Sequence, residues 1–67
     1  MDQTLKLHNH ANVIGPTTDF AYKWGLNAGL SEAKALRLSL AVDEMVTEVV
    51  RFAFPRREDT FDVTFRA

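Results

Sequence analysis

The sequence contains no cysteine, which excludes disulfides, thiolate metal sites and cysteine nucleophiles. Its absence fits a reducing compartment, and the cytoplasm is the expected location. No apolar run approaches the length of a membrane span, and Met1-Asp2-Gln3-Thr4 has neither the basic start nor the apolar stretch of a signal peptide, so no membrane association is expected. An excess of charge of either sign is missing too. Eight Lys and Arg against nine Asp and Glu leave a net charge of −1, which gives no field to draw nucleic acid. There is no internal repeat, low-complexity tract or flexible linker, and the 67 residues amount to one module, 1–67. So short a chain buries a smaller share of its surface than a typical domain, which leaves room for help from a partner surface.

What is present is a folding composition, 46% hydrophobic and 25% charged. From Thr4 to His8 the side chains alternate, with Leu5 and Leu7 on one face, as in a half-buried strand. Pro16-Thr17-Thr18-Asp19 reads as a helix start, with a Thr hydroxyl placed to cap it and Asp19 in the first turn. Phe20, Ala21, Trp24 and Ala28 recur at helical spacing and predict a buried stripe, weakened somewhat by Gly25. Gly29 suits the left-handed residue that ends a helix, and Leu30 follows where an apolar contact often accompanies it.

Ser31 is a good N-cap, and nothing from Ala33 to Phe54 breaks a helix until Pro55. Its apolar residues, from Leu36 through Val46 to Ala53, cover roughly three quarters of the helical wheel. The remaining polar sector holds Arg37, Glu44, Glu48 and Arg51, with Asp43 alone inside the apolar arc. After the charged turn Pro55 to Asp59, Phe61, Val63 and Phe65 alternate with polar residues and predict a second strand whose apolar face meets the long helix. The order strand-helix-helix-strand gives a small two-layer α/β sandwich. Two short strands and one modest helix supply little cover for so apolar a long helix, so self-association, most simply as a homodimer, is expected.

Glu44 and Glu48, four apart, project their carboxylates side by side, as a divalent ion or an acid/base pair requires. Arg37 and Arg51 share the sector, and alternating signs on a helix face ordinarily mean solvated ion pairs. His8 and His10 alternate on an extended stretch, but no third ligand stands near, and paired surface histidines are usually plain polar side chains. Arg56-Arg57 is too short for a nucleic-acid patch and is neutralised by Glu58-Asp59. Ser39 and Thr47 have no nearby His and earn no nucleophile role.

The string from Leu38 to Phe54, LSLAVDEMVTEVVRFAF, resembles the N-box helix of the anti-sigma-factor serine kinases, which belong to the Bergerat-fold (GHKL, histidine-kinase-like) ATPases. The opening strand, the helix with Trp24, the Gly29-Leu30 junction and the strand after Pro55 also follow that family's order, so the resemblance spans the first half of the family's domain. It implies a truncated Bergerat ATPase fold, with Glu44 as the general base that activates the phosphoryl acceptor. Glu48 stands in place of the family's magnesium-ligating Asn, Arg51 falls at a cofactor-binding position, and Phe52 replaces the usual His. ATP and magnesium are implied cofactors, and a sigma factor or an anti-anti-sigma protein an implied partner. The family's Asp-x-Gly-x-Gly loop and glycine-rich lid have no counterpart among Gly15, Gly25 and Gly29. Two readings result: a regulatory protein-interaction module that has lost catalysis, or the N-terminal fragment of an active ATP- and magnesium-dependent serine kinase.

Overall fold

Leu5 and Leu7 lie opposite Val63 and Phe61 in a two-stranded antiparallel sheet, so one face of the sheet is apolar except for Gln3, opposite Phe65 at its end. In the computed structural model, which describes residues 2–67, β1 (Gln3–His8) leads through a 3-10 turn (Ala11–Val13) into α1 (Ile14–Asn27). Then follow α2 (Glu32–Glu48), a π-helical turn (Val49–Ala53) and β2 (Thr60–Phe65). The described residues thus form a small α/β domain of two helices and two strands, in the expected order. The outer face of the sheet is polar: the Thr4 and Thr64 hydroxyls share a hydrogen bond of 3.0 Å, and in the strand register Lys6 stands opposite Asp62 and His8 opposite Thr60.

The inner face of β2 is shared between three neighbours rather than given to the long helix alone. Val63 joins the buried cluster of Ala21, Val42 and Val46. Phe65 sets its ring 5.5 Å from that of Phe20 and 5.3 Å from that of Trp24, both on α1, and Phe61 stacks on Phe54 at 6.0 Å. Tilted and stacked aromatic pairs at such distances add to what burial alone contributes.

α1 begins earlier than the Thr-rich stretch suggests. His10 Nδ1 accepts a hydrogen bond from the Asn12 backbone N–H at 3.0 Å and starts the 3-10 turn, from which α1 continues at Ile14. Thr17 is buried inside the helix and the Thr18 hydroxyl donates to the Ile14 carbonyl at 2.8 Å, so neither acts as N-cap. Pro16 remains compatible because the first turn has no intrahelical use for its missing N–H.

The exit from α1 follows expectation. Gly29 has φ +97°, its N–H donates to the Leu26 carbonyl at 3.1 Å, and the Leu30 N–H donates to the Gly25 carbonyl at 3.0 Å. That double closure satisfies carbonyls the helix would otherwise leave bare. Ser31 then caps α2, its hydroxyl accepting from the Lys34 N–H at 3.2 Å. Gly25 has a packing role as well: a Cβ there would stand 3.3 Å from the Cβ of buried Ala35, so α1 and α2 touch closely at this point.

α2 does not run as one α-helix to Phe54. It is α-helical to Glu48 and then widens into the π turn, with no Gly or Pro in Val49–Ala53 to announce the change. Phe54 is extended (φ −128°, ψ 139°), as a residue before proline prefers. Buried Asn9 holds this end in place: its Nδ2 donates to the carbonyls of Phe54 (3.1 Å) and Arg56 (2.8 Å), while its backbone N–H donates to the Asp59 carbonyl at 2.8 Å. Replacing Asn9 by Ala should therefore lower unfolding stability by about 1–3 kcal/mol in urea titrations, because the Phe54 and Arg56 carbonyls both lose the donor that a buried side chain supplies. Gly29→Ala should cost about 1–2 kcal/mol, the penalty of a Cβ in left-handed backbone.

Candidate functional site

The inward line of α2 is made of small side chains, Ala35, Ser39, Val42 and Val46, all buried. The residues half a turn away must then face solvent. Arg37, Glu44 and Glu48 are exposed along that outward line, as the helical wheel requires. The large apolar residues flank them: Leu36 is 53% exposed and Leu40 55% on one side, Met45 45% on the other, and Phe52, on the π turn, 78%. The apolar arc of the wheel is thus covered only in part, and the fold leaves its bulkiest members outside.

Glu44 and Glu48 come together as expected, lining one hollow with Ala41, Asp43, Met45 and Thr47 that is open to solvent along the helix surface. Asp43 is half-buried, and its Oδ1 accepts a hydrogen bond from the Thr47 hydroxyl at 3.2 Å. Arg51 does not join them. The π turn carries it to a different hollow, lined also by Asn9, His10, Phe54 and Arg57. Among the described residues the ion pairs formed are those of Arg56 with Glu58 (3.5 Å) and Asp59 (3.3 Å), so the seam of α2 is not stitched by its own arginines.

The hollow beside Glu44 is a poor fit for a nucleotide triphosphate. Three carboxylates and no cationic side chain line it, so phosphate oxygens would meet like charge. Gly15, Gly25 and Gly29 all lie in α1 or at its end, away from these residues, and none provides a backbone cradle here. His10 Nδ1 is engaged in starting the 3-10 turn, and among the described residues no group of three or more His, Asp or Glu side chains converges to hold a metal ion.

Two residues escaped the sequence reading. Asn9 gives no local sign of its role, because its carbonyl partners are some 45 residues away in sequence. Phe52 was grouped with the apolar arc, but it follows exposed Glu48 by four residues, about one helical turn, and is exposed as that neighbour is. No protein-family model, curated protein or solved structure matches the chain. Phe52→Ser should change unfolding stability by no more than about 0.5 kcal/mol, as expected of an exposed side chain. Val46→Ala should cost more than about 1 kcal/mol, and parallel thermal melts of the two variants test the contrast.

Proposed function

We propose that this chain is a regulatory protein-interaction module, of the kind implied by its resemblance to the anti-sigma-factor serine kinases, and that it acts by binding protein rather than by transferring phosphate. The observation that carries the reading is the exposure of Leu36, Leu40 and Met45 on α2 and of Phe52 on the π turn that follows it, while smaller residues form the inward line of α2. Large apolar side chains grouped on one exposed helix and interleaved with charge are the material of a protein-contact surface. Phe52 is the natural anchor, since aromatic side chains set among charged neighbours dominate such contacts. A sigma factor or an anti-anti-sigma protein is the partner class that the resemblance supplies.

The alternative, an N-terminal piece of an ATP- and magnesium-dependent serine kinase with Glu44 as general base, draws on the openness of the Glu44 and Glu48 hollow. The acidic lining weighs against it for this chain. Titration calorimetry with magnesium-ATP separates the two, and is a better reporter than Trp24 fluorescence because Trp24 packs on Phe65 among residues that do not line the hollow. No saturable heat is expected up to millimolar nucleotide; micromolar binding, lost in Glu44→Gln or Glu48→Ala, would establish the enzyme reading instead. Against individually purified sigma factors and anti-anti-sigma proteins, Phe52→Ser should weaken binding roughly tenfold or more.

A further inference from the structure

The charges on the outward face of α2 are not mixed at random. Lys34 and Arg37 stand near its start and Glu44 and Glu48 near its end, all four exposed. Leu40 and Ala41, also exposed, lie between the two groups, and Leu40 projects from the same surface. A helix whose face is basic at one end and acidic at the other is complementary to itself turned end for end, and repels itself when laid parallel.

We propose that two copies of this chain pair through α2 in antiparallel orientation, around a two-fold axis at Leu40 and Ala41. The inference rests on reading the outward α2 face as a protein-contact surface, and it names the first occupant of that surface as a second copy. Arg37 precedes Leu40 by three residues and Glu44 follows Ala41 by three. With the axis between Leu40 and Ala41, Arg37 of each copy therefore lies opposite Glu44 of the other. One further turn out, Lys34 lies opposite Thr47 of the second copy, one residue short of Glu48 and near enough for its long side chain to reach that carboxylate, so the two-fold operation repeats each pair and four ion pairs form. At the centre Leu40 meets Leu40 of the second copy on one side, with Leu36 bordering the contact, while the small Ala41 side chains let the helices approach. Arg51, the one charge of the wrong sign near the acidic end, falls beyond the start of the second copy's helix, where no like charge of α2 opposes it.

The register leaves Phe52 at the outer ends of the paired helices, available to another protein. A contact limited to one helix face from each copy belongs to the small class of specific interfaces, so the dimer dissociates in the micromolar range.

Charge reversal tests the pairing because it acts on orientation and register. In sedimentation equilibrium over micromolar concentrations at low salt, the parent chain should be a monomer–dimer mixture. Arg37→Glu or Glu44→Arg alone should raise the dissociation constant roughly tenfold, since each reversal makes two repulsive contacts in the symmetric dimer. The double variant R37E/E44R should restore parental dimerisation, and an equimolar mixture of the two single variants should form the heterodimer in preference to either homodimer. Both positions are exposed, and circular dichroism of each variant confirms that the fold is kept. A parent chain that stays monomeric throughout overturns the proposal, as does a dimer indifferent to the reversals. Neither result touches the protein-interaction reading, which falls only if magnesium-ATP binds with micromolar affinity in the calorimetric titration.

Discussion

The close approach of α1 and α2 at Gly25 and Ala35 is the constraint on which the rest of the structure depends. There is no room for a larger side chain at that contact: a Cβ on Gly25 would already sit within 3.3 Å of both Ala35 and Leu30. α2 must therefore present small residues inward, and its line of Ala35, Ser39, Val42 and Val46 does so along its length. Ser39 is admitted to this line because its hydroxyl donates to the Leu36 carbonyl at 2.7 Å and so is not itself left bare. The bulk of the core comes instead from rings supplied by α1 and β2, with Phe20, Trp24 and Phe65 packed together. With small residues on the inward line and Leu38 half-buried beside the core, Leu36, Leu40 and Met45 of α2 are left facing out, and the surface on which the proposed function rests follows from that division.

A second constraint fixes the far end of α2. Pro55 favours extended backbone at Phe54, and Asn9 binds the carbonyls on either side of the proline, so the helix must end at a set place relative to the start of α1. The π turn lies between that fixed end and the regular helix. It separates Arg51 from Glu44 and Glu48, which puts the carboxylates and the nearest guanidinium of the charged sector in different hollows. Wide turns of this kind recur where a helix surface serves a purpose beyond packing, and here the turn carries Phe52, the most exposed of the large apolar side chains among the described residues.

Much of the fold was legible because it rests on local rules. Alternation marked both strands, Gly29 and Ser31 marked the junction between the helices, and Pro55 marked the end of the long one. The start of α1 was not legible, because the helix continues from a 3-10 turn that a histidine ring caps, and the Thr18 hydroxyl turns back on the helix itself. The shared role of β2 was hidden for a different reason: alternation tells which face a residue takes but not which helix meets it. At the candidate site the pairing of Glu44 with Glu48 followed from helical spacing, whereas the removal of Arg51 depended on a change of helix type that composition does not reveal.

The polar outer face of the sheet, with its Thr4–Thr64 bridge and with Lys6 opposite Asp62, limits how anything larger could be built around this domain. A second layer stacked on that face would have to dehydrate hydroxyls and charges without repayment in apolar contact. The backbone along the outer margins of β1 and β2 carries no such penalty, since its amides and carbonyls seek strand partners. Any extension of the architecture, from this polypeptide or another, is thereby directed sideways within the plane of the sheet.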